Sequence, residues 1–323
     1  EVPILDQSEG LRREGVQAAF RLVLIKLTGD RQAAARSALR PLLSQAQNYM
    51  QQYRYREVSV DEELASGEIV SANQTRLWVK FDEENLKQAL RALSVPVWGW
   101  ERPSTLIWLA LEDEEGRRLI GMEEGAEYME VISKRAVQRG IPLIYPLLDL
   151  HDNAALRASD VWGGFRQPIL DASARYHPDV VISATVQSPV SGIWEGRWSV
   201  YIDNQMAAWT NESDLVEGIL DEGIDNLADI LASQFAPPDS RGGINLVTVS
   251  VSDIFALDQY ASVLKYLSSL NSVSDIEVVQ VAEGKVVFEL RAHGGELAVS
   301  QAIELGRILE AISDNGSDYR LLP

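Results

Sequence analysis

Pro96 and Pro103 constrain this chain more than any other pair of residues in it. Each bars the residue before it from helical geometry. The segment between them therefore leaves the preceding helix in extended form and runs into Leu106-Ile107-Trp108-Leu109-Ala110-Leu111. An apolar run of that length, closed by Glu112-Asp113-Glu114-Glu115, suits a strand buried on both faces. The stretch thus ends one domain and opens the core of the next. Trp98 and Trp100 flank Gly99 at this junction, where large rings must pack between domains or stay exposed as a docking site.

Before the junction the pattern is that of an α+β domain, residues 1–100. Asp6, with Glu9 at the third position, is expected to cap a first helix whose Val16, Phe20, Val23, Leu24 and Leu27 share a face, and Thr28-Gly29 stops it. Leu39, Leu42, Leu43, Ala46 and Met50 suggest a second helix, interrupted or restarted at Pro41. Tyr53, Tyr55 and Glu57 alternate with Arg54, Arg56 and Val58, while Leu77, Val79 and Phe81 alternate with Trp78 and Lys80. Both runs predict strands with one solvated face. Asp82 then caps a helix carrying Leu86, Ala89, Leu90 and Leu93.

Beyond it, residues 101–236 predict a central mixed α/β sheet. The buried strand is followed by a loop at 112–125, a helix through Tyr128, Ile132 and Ala136 that stops at Gly140, and a short strand at 141–147. A helix over Arg166 to Tyr176 precedes a central strand at 179–186, an antiparallel meander with a tight turn at Asp203-Asn204, and a long helix starting at Asn211 or Ser213. Residues 237–243, rich in proline and glycine, form a linker. The remainder, 244–323, gives strand, helix, strand, turn at Glu283-Gly284, strand, a helix through Leu297, Leu305, Leu309 and Ile312, and a last strand at Tyr319 to Leu322. That is the βαββαβ order of a ferredoxin-like domain, with two helices on one sheet face and the other face open to a partner. The fold class is therefore α/β and α+β in three small domains, as a chain of 323 residues leads one to expect.

Composition narrows the function. The formal charge of −19 repels polyanions and anionic lipid, and basic residues occur only as doublets such as Arg12-Arg13, so no nucleic-acid partner is expected. The absence of cysteine excludes thiolate metal sites, thiol redox chemistry and disulfides, and fits an oxidising compartment. No apolar run approaches the length of a transmembrane helix. A start at Glu1 without methionine is expected of an exported chain whose signal peptide has been removed, or of a trimmed one.

Four stretches resemble landmarks of a known family: Gly15 to Asp30, Tyr49 to Arg56, Pro96-Val97-Trp98-Gly99 with Arg102-Pro103 and Ile107-Trp108-Leu109, and Gly192 to Trp198. They are similar to those of an exported proteobacterial family, domain of unknown function 2066. The resemblance implies a signal peptide and a periplasmic or envelope-associated life, and carries no activity. By element order alone, the central domain is also similar to the α/β domains of envelope assembly and lipoprotein regulators, such as the amino-terminal part of the Tol-system propeller protein.

No catalytic, cofactor or metal signature accompanies these landmarks. His151, His177 and His293 lie far apart and in no metal-ligand spacing. Ser188 to Gly192 is a turn rather than a nucleophile elbow, and Trp162-Gly163-Gly164-Phe165 lacks the spacing of a dinucleotide or phosphate loop. The many carboxylates are expected to be solvated surface. Tryptophans are the most informative residues. Trp194 and Trp198 share one side of a strand, and Trp98, Trp100, Arg102, Trp162, Trp194 and Trp198 are the candidates for holding a partner. The expected function is a non-catalytic periplasmic adaptor without cofactor that binds an envelope protein through aromatic anchors; a homo-oligomer built through sheet edges is a weaker expectation. The alternative is a protein that binds or hydrolyses peptidoglycan or another envelope glycan, which would show a deep pocket of converging carboxylates.

Overall fold

The computed structural model describes residues 1–63, 69–99, 101–113, 116–187, 192–235, 244–312 and 317–322. Trp100, Glu114-Glu115, most of the 188–192 turn and the 237–243 linker lie outside the described residues. The architecture is mixed α/β and α+β, with three sheets. The chain divides into two compact units, which part between Trp98 and Gly99, and the second holds both later sheets.

The first unit opens with β1 (Val2–Pro3) and α1 (Glu9–Thr28). Ser8, not Asp6, caps α1: its Oγ accepts from the Leu11 amide, while the Asp6 carboxylate accepts from Ser8 itself at 2.7 Å. A serine next to the helix has the shorter reach to the third amide and displaces the earlier aspartate. Gly29, at φ 70°, ends α1 in the left-handed conformation as expected. The expected helix over 39–50 is only α2 (Arg40–Ser44), flanked by 3-10 turns, because Pro41 is accommodated in a first turn and so starts the helix instead of interrupting it.

The two expected strands are β2 (Met50–Glu63) and β3 (Ile69–Phe81), and α3 (Glu83–Ala92) follows with Asp82 as its cap. They make a three-stranded sheet in the order β1-β3-β2. One face is core: Leu77 is buried under α1, and Phe20 packs between Tyr49 and Phe81 with ring centroids 5.5 and 5.1 Å away. A methyl at Gly15 would sit 2.8 Å from Leu77, so glycine sets how closely α1 approaches β3.

The second unit begins with β4 (Thr105–Asp113), β5 (Gly116–Ile120), α4 (Ala126–Arg139), β6 (Leu143–Ile144), α5 (Leu150–Ala155), α6 (Ala158–Trp162) and α7 (Arg166–Ser173). Next come β7 (Val180–Gln187), β8 (Trp194–Ile202), β9 (Gln205–Ser213) and α8 (Val216–Phe235). The six-stranded sheet has the order β5-β4-β7-β8-β9, with β6 on β4. As expected, β4 is buried on both faces and β7 lies centrally, parallel to it. Half of the expected 112–125 loop is strand. Arg117 and Arg118 of β5 pair across the hairpin with Glu112 at 3.0 Å and Asp113 at 2.6 Å, so charges that look like loop neutralise one another in a ladder. The long helix starts later than expected, because Asn211 and Ser213 are spent in β9. The Asp203-Asn204 turn is present between β8 and β9.

The last part contains β10 (Ile244–Ile254), α9 (Leu257–Ser269), β11 (Val273–Ala282), β12 (Gly284–His293), α10 (Gly295–Gly306), β13 (Leu309–Ala311) and β14 (Asp318–Leu321). Its five-stranded order is β11-β12-β10-β14-β13. The expected order is present with one strand added. The helix expected to reach Ile312 ends at Gly306, where a side chain would collide with the Tyr266 hydroxyl, and Leu309 belongs to β13. β14 then inserts between β13 and β10 and runs parallel to β10, so this sheet is not purely antiparallel. Arg307, in left-handed geometry at the end of α10, joins the two sheets of the unit: it donates to the His177 carbonyl at 2.9 Å and to Asp179 at 3.0 Å.

Candidate binding surfaces

Two of the tryptophans expected to meet a partner have no face to offer. Trp98 and Trp198 are each 1% exposed. Trp198 stacks on Trp209 at 6.1 Å, donates to Asn211 Oδ1 at 2.9 Å, and lies so close under α8 that a methyl at Gly223 would fall 2.0 Å from its ring. The core role of Trp198 is set by a helix that sequence alone does not place over the strand. Trp194 is half-buried on the same side of β8. Trp100 lies outside the described residues.

Arg102 is a clamp. Its guanidinium donates to the carbonyls of Gly99, Arg139 and Gly140 at 3.0, 2.9 and 3.1 Å, fixing the chain entering β4 to the end of α4. Burial, with the Arg139 charge nearby, lowers its pKa to about 10. Arg139 itself is buried and donates to Asp225 and Asp229, each at 2.6 Å. Arg135 also bonds Asp225, so α4 and α8 are pinned by a charged network. Burial pushes the Asp225 carboxyl up, but the two arginines outweigh it and leave the pKa lowered. Trp162 is half-buried, with Arg117 4.3 Å and Arg197 5.6 Å from its ring, and is thus capped by guanidinium groups.

Where β5 and β6 leave the shared edge of β4, their exit loops and the α5–α6 connection enclose a cleft of about 620 Å³. Glu123 and Glu124 line it, together with Arg118, Arg157, Tyr145 and Asn153. Both glutamates are exposed. The loop beside it is held by Asp152, which is fully buried and accepts from the Leu148 amide at 2.9 Å, Arg175 at 2.9 Å and the Tyr176 hydroxyl at 2.5 Å. His151 is exposed on α5, its amide donating to Asp149. Among the described residues no group of three or more potential ligands is placed to hold a metal ion.

The surface that sequence reasoning overlooked lies in the first unit. On β2 and β3 the register sets Arg54 opposite Trp78 and Arg56 opposite Arg76, with Lys80 opposite Gln52. These positions share the face away from Leu77, because side chains alternate. Arg54, Arg56 and Lys80 are exposed, and Trp78 and Arg76 are half-buried. The Arg54 guanidinium lies over the Trp78 ring, 4.4 Å from its centroid, a cation–π contact. Glu1 pairs with Arg56 at 2.8 Å, and Arg76 donates to Gln74. Residues 1–98 carry as many Lys and Arg as Asp and Glu, so the whole formal charge of −19 falls on the remainder of the chain. The solvated face of each strand is visible in sequence; the gathering of four cations around one indole requires the register.

A family described as a domain of unknown function (DUF8605) matches residues 1–99, the stretch that builds this sheet. No curated protein matches the chain. Among the described residues no helix is long and apolar enough to cross a membrane.

Proposed function

We propose that this chain is a non-catalytic accessory protein of the cell envelope that works by holding another protein, and that its contact surface is the cationic open face of β2 and β3. One observation carries the reading: Arg54, Arg56, Arg76 and Lys80 gather around Trp78 on a sheet face left to solvent, in a chain that is otherwise strongly acidic. A mainly cationic patch with a half-buried aromatic at its centre speeds encounter with an acidic partner and then anchors it. Export to the periplasm by a removed signal peptide is part of the proposal, supported by the resemblance to family 2066 and by the lack of cysteine. A second reading, an envelope-glycan binding protein or hydrolase, rests on the 620 Å³ cleft and its paired glutamates.

The test is a photo-cross-linker placed at Lys80 in the full chain, used on the envelope fraction of its own cells. A discrete protein adduct that vanishes in a folded Arg54→Glu, Arg76→Glu variant, and persists when Lys134 is reversed instead, is the expected result. An unchanged adduct pattern in the first variant, or saturable binding of glycan strands that is lost on Glu123→Gln, Glu124→Gln, would displace this reading in favour of the second.

A further inference from the structure

The partner chemistry follows from where this face ends. In the order β1-β3-β2, β2 is an edge: among the described residues it pairs with β3 alone. From Gln52 to Ser59 its register to Lys80 through Asn73 runs without a shift, and the run contains no proline. Protein edges are commonly blunted by bulges, prolines or inward charges. Here, among the described residues, the only register shift lies before Gln52, at the root of the hairpin. Resting on the reading that this face binds a protein, we propose that the partner is an extended segment with acidic side chains at alternate positions, which adds to the outer edge of β2 as a further strand.

Strand geometry sets the pattern. Residues directly opposite across a strand pair lie about 4.5–5.5 Å apart, so carboxylates two residues apart in an incoming strand meet Arg54 and Arg56 in turn. On the opposite face the same strand passes Tyr53, which is 38% exposed and carries Arg12 over its ring, and then Tyr55. Intervening positions therefore favour β-branched or aromatic residues. Two β2 edges meeting each other would bring arginine toward arginine, so the charges that attract an acidic strand also discourage self-pairing. A polynucleotide suits the surface less well. Arg54 already lies over the Trp78 ring, so a base stacking there would have to displace it. The charge of the whole chain also opposes a long polyanion.

Fluorescence anisotropy on the full chain tests this with a labelled peptide, Thr-Glu-Val-Glu-Tyr-Glu-Val-Thr. Four comparisons accompany it: a peptide of the same composition with its glutamates grouped, a version N-methylated on alternate amides, the same peptide with lysine for glutamate, and a twenty-residue oligothymidylate. The expected result is at least tenfold weaker binding by the grouped and N-methylated peptides. An Arg54→Glu, Arg56→Glu variant with unchanged circular dichroism should lose the acidic peptide and take up the lysine one. Equal binding of the alternating, grouped and N-methylated peptides overturns strand addition while leaving a charged protein contact intact. Tighter binding of the oligothymidylate overturns the peptide class. If no peptide binds but the Lys80 adduct still depends on Arg54 and Arg76, this inference fails and the proposed function stands; if the adduct is also indifferent, both fail.

Discussion

Trp198 and Trp78 both sit in the middle of antiparallel strands, yet one is core and the other is surface. The difference lies in what covers the sheet. The central sheet has helices on both faces, so Trp198 meets α8, whose Gly223 makes room for its ring. In the first sheet α1 packs on the Leu77 face, and Trp78 lies on the other, where an arginine covers its ring. A tryptophan on a strand is therefore not informative until the number of layers is known.

That contrast can be broken most easily from the buried side. Trp198→Ala should destabilise the second unit by about 3–5 kcal/mol, as large core truncations do, seen as a lower urea midpoint in near-ultraviolet circular dichroism. A smaller loss would mean that the ring is not the core element it is taken to be here. Next, Arg139→Met should cost about 3 kcal/mol, near the low end for breaking a buried pair, because Asp225 keeps Arg135 as a partner. Adding Asp225→Leu should deepen that loss in the same titration, because it also breaks the Arg135 pair.

A pH titration sharpens the comparison further. The Arg175 side-chain hydrogen bond and the Asp152 backbone amide hold the Asp149 carboxyl down, from its ordinary 3.8 to about 2. A lowered folded pKa contributes stability that is present above about pH 4 and is lost as pH falls toward 2. The second unit should therefore weaken over that window, and Asp149→Asn should flatten the slope of its urea midpoint against pH. Smallest of all, Trp78→Ala should change stability by about 1–2 kcal/mol, as removing a half-buried ring and its cation–π contact implies, while abolishing partner adducts at Lys80. A large loss of stability would show that Trp78 is structural after all.

Much of the fold is legible in sequence because strong periodicity and caps agree locally. The bracketing prolines announce β4, Gly29 and Gly140 end their helices in left-handed geometry, and Asp82 caps α3. What sequence hides depends on distant partners. β5 looks like loop until Arg117 and Arg118 meet Glu112 and Asp113, and β13 hides behind a helical pattern that ends at Gly306, against the Tyr266 hydroxyl. The candidate surface divides in the same way. Alternation in 53–58 and 77–81 predicts that a face is wet, but only the pairing of Arg56 with Arg76, and of Arg54 with Trp78, makes it a patch. Of the tryptophans picked from sequence as partner contacts, Trp98 and Trp198 are buried.

The insertion of β14 between β10 and β13 bears on the timing of synthesis. During translation β10 is the first strand of its sheet to emerge and pairs with β12, but its other neighbour, β14, is the last of the five. Until Asp318 to Leu321 clear the ribosome, one side of β10 stays bare and β13 has no strand to join. The nascent chain therefore carries an incomplete sheet from the emergence of β10 until that of β14, and loss of Asp318 to Leu321 would leave that seam open.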